Sequence, residues 1–269
     1  MDRFVTARGL CFHVTSWGSG PNPLLLLHGV HGTVQSWDAL VQAINGAVPI
    51  VAFDQRGHGE SSWPDEGYDV RTMADDAAAV ALELDTPIDV LGHGFGAAVA
   101  LVLAAHHPHV VRRLVISEPP FEDRGFGPVT RIIMESPDDF PSWEAGREFL
   151  AERMVGVSPE TVDRRTTERL RKDEDGKWRW RGYLPGMRKL LERPMKGLDL
   201  WQDAPRILAP TVVVRGSRSV VFPVETFERL ARVIPQAEGF QIANVGQALP
   251  DERPLALAHL LRGFLTPRD

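Results

Sequence analysis

Short, continuous apolar runs recur along the chain and end at glycine, proline or polar residues. Such runs are typical of parallel strands covered on both faces, and they predict strands at 10–17, 24–27, 50–53, 88–91, 111–117 and 211–215. Apolar residues at helical spacing predict helices at 37–44, 71–84, 95–106, 224–233 and 255–265. Because strands and helices alternate, we predict an α/β fold with a mostly parallel, doubly wound sheet, whose ligands bind beyond the carboxyl ends of its strands.

Residues 121–197 interrupt this alternation. The segment is rich in charged residues, proline and tryptophan, and it contains short helical patterns but no convincing parallel strand. We interpret it as an inserted helical cap over the mouth of the site, with residues 1–120 and 198–269 forming the core. Its charges are interpreted mostly as a solvated surface.

The composition fits one globular unit without a nucleic-acid or membrane-binding surface. A chain of 269 residues with 43% hydrophobic content is long enough for one substantial core and too short for two large domains. The net charge is only -6, and no long block of like charges is present, so we expect no nucleic-acid partner and no membrane partner. The expected partner is a small-molecule substrate or ligand, and the oligomeric state is left open.

The cysteine content and the amino-terminal residues bear on the compartment. The single cysteine, Cys11, excludes an intrachain disulfide, and its place in a predicted strand indicates a buried thiol. Residues 1–10 lack a basic region followed by an apolar run, and no stretch reaches a membrane-spanning length. We therefore expect a soluble cytoplasmic protein.

Three short motifs occur in an order and at a spacing similar to those of the α/β-hydrolase family. They are Leu-His-Gly at 27–29, Asp-Gln-Arg-Gly-His-Gly-Glu-Ser at 54–61 and Gly-His-Gly-Phe-Gly at 92–96. The resemblance covers nearly the whole chain, and the cap is the part that it constrains least. It implies an α/β-hydrolase fold, a mostly parallel doubly wound sheet with an inserted helical cap.

The resemblance aligns the family's catalytic serine, acid and histidine with Gly94, Ser219 and Gln247. In the family, a tight Gly-x-Ser-x-Gly turn exposes the serine hydroxyl, whereas glycine has no group that could form a covalent intermediate. A serine cannot stabilise an imidazolium as a carboxylate does, and a carboxamide cannot exchange protons near neutral pH. We therefore expect a degenerate triad that lines the pocket and no ordinary serine-hydrolase activity.

Several other groups of the implied site remain available for chemistry. The resemblance implies an oxyanion hole formed by the backbone N–H groups of Val30 and Phe95, which a change of side chain at position 94 does not remove. His31, in the same loop as Val30, is a candidate acid or base, and the alternative is a loop histidine bonded to solvent or backbone. Glu118, at the end of strand 111–117, is the second catalytic candidate, and its alternative is a structural carboxylate that accepts from loop N–H groups.

His93 and Trp37 complete the predicted substrate pocket, although a packing role in the core is the more common one for each residue at such a position. The histidines at 106, 107 and 109 cluster at a predicted helix end without a carboxylate arrangement typical of a metal site. We accordingly expect neither a metal nor a cofactor.

Three functions are compatible with these residues, because a fold alone does not fix an activity. The first is a non-hydrolytic enzyme, such as a lyase, cyclase, decarboxylase or isomerase, that acts on a small carbonyl-containing molecule in a biosynthetic pathway. The second is a noncatalytic protein that binds a ligand in the retained pocket. The third is a hydrolase that activates water with a base foreign to the family.

Overall fold

The computed structural model describes residues 1–84, 87–121, 128–154, 156–192 and 199–266. They include an eight-stranded sheet with the strand order β1-β2-β4-β3-β5-β6-β9-β10. The β1–β2 and β2–β4 pairs are antiparallel, and every neighbouring pair from β4 to β10 in this order is parallel. Its strands are β1 (Asp2–Ala7), β2 (Leu10–Trp17), β3 (Leu24–Leu27), β4 (Ile50–Phe53), β5 (Ile88–His93), β6 (Val111–Ser117), β9 (Thr211–Gly216) and β10 (Ala237–Ile242). The predicted mostly parallel sheet is confirmed.

Helices flank the sheet, and the five helices predicted from the sequence begin and end close to the predicted positions. They are α1 (Asp38–Ile44), α2 (Val70–Leu82), α3 (Phe95–His106), α4 (Pro128–Glu135), α5 (Trp143–Arg153), α6 (Pro159–Arg169), α7 (Leu184–Glu192), α8 (Leu200–Asp203), α9 (Val224–Val233), α10 (Leu249–Glu252) and α11 (Pro254–Leu265). A 3-10 helix, Val34–Trp37, precedes α1. The predicted doubly wound arrangement of helices around a sheet is therefore present.

The apolar run of β3 contributes side chains to two separate cores, one on each face of the sheet. Leu25 and Leu27 belong to the core that contains α2 and α3, whereas Leu24 and Leu26 belong to the core that contains α1 and α11. Successive side chains of a strand point to opposite faces, so both faces need apolar residues. The continuous run is the sequence signal of this double burial.

Two glycines let α3 pack directly on the strands. A Cβ at Gly96 would lie 2.0 Å from the carbonyl oxygen of Leu27, and a Cβ at Gly92 would lie 2.2 Å from the carbonyl oxygen of Gly96. Such distances are far inside van der Waals contact, so only glycine permits this approach. The packing fixes the turn between β5 and α3 at the carboxyl end of the sheet.

The segment between β6 and β9 contains α4 to α7 and, in addition, an antiparallel pair of strands, β7 (Leu170–Lys172) and β8 (Trp178–Trp180). It has its own apolar core, which includes Phe140, Leu150 and Trp180. Residues 122–127 and 193–198, where the predicted cap begins and ends, lie outside the described residues. The boundaries at 121 and 197 therefore stay a prediction.

Two further expectations concern the surface. Cys11 is exposed, so the prediction of a buried thiol is wrong: the side chain lies on the solvent side of β2, while the neighbouring Phe12 points into the core. Among the helices that the structure describes, none has the length and apolar character needed to cross a membrane.

Candidate active site

Gly94 forms the turn between β5 and α3. Its backbone has φ 57° and ψ -124°, in a region that glycine occupies more easily than other residues. Its N–H donates to the carbonyl oxygen of Ser117 at 2.9 Å, and its carbonyl oxygen accepts from the N–H of Ala97 at 2.9 Å. A Cβ at this position would meet only the Cα of Gly29, at 3.9 Å. The turn thus has room for a side chain, and the chain places none there.

A cavity of about 430 Å³ opens beside this turn. Six of the residues proposed from the sequence line it: Val30, Trp37, His93, Gly94, Phe95 and Gln247. Side chains from the segment between β6 and β9 also line it, among them Ile132, Met154, Val157, Arg165 and Arg169. Three proposed residues are not among its lining residues, namely His31, Glu118 and Ser219.

His31 is buried against the cap instead of facing the cavity. Its ring packs on Trp180 with 4.6 Å between ring centroids, and its backbone N–H donates to Nε2 of His58 at 3.3 Å. Burial, reinforced by the charge of Arg169, lowers the pKa of His31 well below its ordinary value. Its Nε2 is buried and has no hydrogen-bond partner among the described residues. Its catalytic role stays a prediction, since direct contact with a ligand would require a rearrangement.

Glu118 and Ser219 contact each other, because β6 and β9 are neighbours in the sheet and both residues follow the carboxyl ends of these strands. The Ser219 hydroxyl donates to Glu118 Oε2, and the N–H of Gly216 donates to Oε1 at 2.6 Å. Glu118 is only 1% exposed, and burial raises its pKa to about 7. The position aligned with the family's acid is therefore not part of the cavity wall, contrary to expectation, and it hydrogen-bonds a carboxylate from the adjacent strand.

His93 and Trp37 lie edge to face on the core side of the cavity, with 6.5 Å between ring centroids. His93 Nδ1 lies 3.1 Å from the hydroxyl oxygen of Ser117, and no described residue hydrogen-bonds its Nε2. Burial, together with the charge of Arg165, lowers the pKa of His93 to about 4, so the ring is neutral at pH 7. Trp37 Nε1 is buried without a partner among the described residues. Both rings therefore carry a nitrogen that no described residue binds.

The arginines of α6 are the part of the site that the sequence analysis missed. Arg165 and Arg169 line the cavity one helical turn apart, although the charges of this segment were interpreted as a solvated surface. Arg165 donates to Asp251 Oδ2, and Arg164 donates to Oδ1 of the same carboxylate at 2.8 Å. The i,i+4 spacing of Arg165 and Arg169 was visible in the sequence. The sequence did not show whether this face of α6 lies against solvent or against a cavity.

No three His, Cys, Asp or Glu side chains converge as metal ligands in the part of the chain that the structure describes. The polar side chains that line the cavity carry imidazole, indole, hydroxyl, carboxamide, carboxylate and guanidinium groups.

The sequence of the chain is similar to a known protein family and to several characterised proteins. The profile of a family described as "Alpha/beta hydrolase family" matches residues 24–260. Lipase LipV of Mycobacterium tuberculosis is 30% identical over 271 residues, which cover 95% of this chain and 98% of that protein. The 2-(acetamidomethylene)succinate hydrolase of Mesorhizobium japonicum is 26% identical, covering 87% of this chain and 85% of that protein.

Solved structures give the same fold. A crystal structure of E-2-(acetamidomethylene)succinate hydrolase superposes with a TM-score of 0.88 and 23% identity, covering 98% of both chains. A thioesterase domain from the curacin biosynthetic pathway superposes with a TM-score of 0.79 and 24% identity, covering 99% of both chains. The names of these relatives are those of hydrolases, and none of them supports the expected lyase or cyclase activity.

Proposed function

Because the chain belongs to the alpha/beta hydrolase family, we propose that it binds a small carbonyl-containing molecule beside Gly94 and acts on it without a covalent intermediate. The proposed reaction is a proton transfer next to the carbonyl, as in an isomerase or a lyase. The observation that carries the proposal is the cavity itself, which is retained around a turn that offers no nucleophile.

The cavity positions that align with the family's serine and histidine lack the groups that the family's covalent route needs. Gly94 has no nucleophilic atom, and Gln247, which lines the same cavity, carries a carboxamide that cannot accept a proton near neutral pH. Loss of such groups costs turnover on the order of a million-fold where it has been measured by removing triad members. A reaction through an acyl-enzyme at position 94 is therefore not what this site supports.

The same cavity keeps features that stabilise negative charge on oxygen. Phe95 begins α3, so the positive end of the helix dipole lies at the turn, and Val30 contributes the neighbouring loop of backbone. We assign the oxyanion hole to the N–H groups of these two residues. Oriented donors of this kind stabilise an enolate as well as a tetrahedral intermediate, so they remain useful when the nucleophile is absent.

His93 is the group that we assign to proton transfer. With Nδ1 donating to Ser117, the neutral ring would present the Nε2 lone pair to the cavity. A pKa of about 4 leaves this nitrogen unprotonated at neutral pH and able to accept a proton, although as a weaker base than an ordinary imidazole. His31 and Glu118 stay catalytic candidates from the sequence, but they would act only through groups that line the cavity.

Hydrogen–deuterium exchange tests this proposal. Levulinate, 4-acetylbenzoate and their amides are incubated in heavy water with the wild-type chain, His93→Asn or His109→Asn, and exchange at the carbon next to the ketone is followed by NMR. His109 is exposed and serves as the matched control. We expect exchange that falls by roughly 10²- to 10⁴-fold in His93→Asn and is kept in His109→Asn.

Two other results would each refute the proposal. Tight binding of these compounds without exchange or any other turnover would show a noncatalytic binding protein. Hydrolysis of aryl esters that is insensitive to serine-directed inhibitors would show a hydrolase that activates water.

A further inference from the structure

One guanidinium in the cavity wall has no hydrogen-bond or ion-pair partner in the part of the chain that the structure describes. Arg169, the last residue of α6, is 6% exposed and lines the cavity. Within the described residues, its side chain makes no hydrogen bond and no ion pair, and only its carbonyl oxygen is used, by the N–H of Arg181. Buried arginines are ordinarily paired, so an unpaired one at a cavity indicates a ligand that pairs with it.

The neighbouring carboxylates are already engaged by other arginines. Asp251 accepts from both Arg164 and Arg165, and Glu168 lies 3.7 Å from Nε of Arg164. Burial raises the pKa of Glu168 to about 7, so it carries only part of a negative charge at neutral pH. Asp251 and Glu168 therefore contact other arginines rather than Arg169. A third carboxylate, Glu252, lines the same cavity and acts on Arg165, and among the described residues no ion pair links it to Arg169.

Arg169 keeps its charge under ordinary conditions. Burial and the nearby charge of Arg165 lower its pKa to about 9, which leaves the guanidinium protonated at pH 7. A buried charge without a partner is unfavourable, and an anion in the cavity would remove that cost. The other arginine on the cavity rim, Arg218, donates to Oδ1 of Asn244 at 3.0 Å, so Arg169 is the lining guanidinium that no described residue satisfies.

We propose that Arg169 binds an oxyanion of the substrate, a carboxylate or a phosphate, while the carbonyl of the same molecule lies at the Gly94 turn. Only the placement of the carbonyl rests on the proposed function. The planar fork of a guanidinium matches two oxygens of either group with two parallel hydrogen bonds. A cavity of about 430 Å³ suits a small molecule that carries both groups. The site therefore selects acids over their neutral analogues.

Calorimetric titration of the full chain tests this assignment. The probes are levulinate and 4-oxopentanamide, 4-acetylbenzoate and 4-acetylbenzamide, and dihydroxyacetone phosphate. The variants are Arg169→Gln, Arg169→Lys and the control Arg131→Gln, whose side chain is 63% exposed on α4 and pairs with Glu135. We expect each acid to bind about 10- to 100-fold more tightly than its amide, because hydrogen bonds to charged groups are the stronger ones.

The variants separate a binding role from a folding role. Arg169→Gln is expected to abolish the preference for acids, Arg169→Lys to keep part of it, and Arg131→Gln to leave it intact. Without ligand, Arg169→Gln is expected to unfold at the same temperature as the wild type or a higher one, since it removes an unpaired buried charge. The relative affinity for the phosphate and the carboxylates then identifies which oxyanion the site prefers.

Equal affinity for acids and amides, an acid preference that survives in Arg169→Gln, or no binding of any probe would overturn the assignment. Proton exchange on the amides without an acid preference would remove the oxyanion subsite and leave the proposed function standing. A preference for acids without proton exchange would support the oxyanion subsite and refute the proposed function.

Discussion

Replacement of Glu118 by glutamine should stabilise the protein at alkaline pH far more than at acidic pH. Glutamine has the shape of the protonated side chain: its carbonyl oxygen can accept from the N–H of Gly216, and its amide can donate to the hydroxyl oxygen of Ser219. The contacts of the neutral state are therefore kept, and only the buried negative charge is removed.

The magnitude follows from the raised pKa of Glu118. In the folded protein the pKa is about 7, against an ordinary value of 4.5, so the folded state holds the proton more tightly than the unfolded state does. The stabilising contribution of the protonated group is fully present below pH 4.5 and is lost as the pH rises through about 7. The full shift is worth roughly 3 kcal/mol, of which about 2 to 3 kcal/mol is lost between pH 5 and pH 8.

Urea denaturation at pH 5 and pH 8 measures this difference. The unfolding free energy of Glu118→Gln minus that of the wild type should rise by about 2 to 3 kcal/mol between the two pH values. Other titrating groups, including the buried histidines, cancel in the subtraction. The exposed Glu225→Gln controls for the loss of a carboxylate elsewhere. A difference that is the same at both pH values would refute the reasoning, because it would mean that Glu118 titrates alike in the folded and unfolded chain.

Two further predictions concern the turn and the position aligned with the family's acid. Gly94→Ala should cost about 1 to 3 kcal/mol of unfolding free energy through backbone strain alone, whereas Gly96→Ala should cost more, because its Cβ would lie 2.0 Å from a backbone oxygen. Similar losses in urea denaturation would contradict this. Ser219→Asp should destabilise the wild type at pH 8 by up to about 4 kcal/mol more than it destabilises Glu118→Gln, through repulsion between two adjacent carboxylates. Additive effects in the double-mutant cycle would contradict the contact.

The inner strands were predictable from the sequence, and the edge strands were not. β3, β4, β5, β6 and β9 lie inside the sheet and are mostly buried, and this burial leaves apolar runs in the sequence, which only Asp89 in β5 and Arg112 and Arg113 in β6 interrupt near the strand starts. β1 and β10 form the edges of the sheet, and most of their residues are exposed or half-buried, so no such run marks them. The β7–β8 pair has only three residues in each strand, too few for a periodic signal.

The candidate site was predictable where backbone geometry sets it. The motif at 92–96 located the Gly94 turn, because Gly92 and Gly96 permit the close strand-to-helix packing and Gly94 adopts a positive φ. Motif spacing does not encode the direction of a loop side chain. The sequence therefore could not show that His31 and Glu118 lie away from the cavity. The burial of Arg169 was hidden for a related reason: a charged helix in a cap has the same spacing whether it faces water or a cavity.

The carboxylate of Asp251 ties α6 to α10 by holding two guanidinium groups of α6 at once. If α6 swings outward to admit a molecule, both ion pairs must separate together, and Asp251, whose side chain is 4% exposed, must become hydrated in the same event. Entry and exit through this side therefore share one electrostatic barrier. Added salt screens charges mainly when they are exposed to solvent. It would therefore increase the rate at which a bound molecule exchanges with solution, and it would change the equilibrium occupancy of the cavity far less.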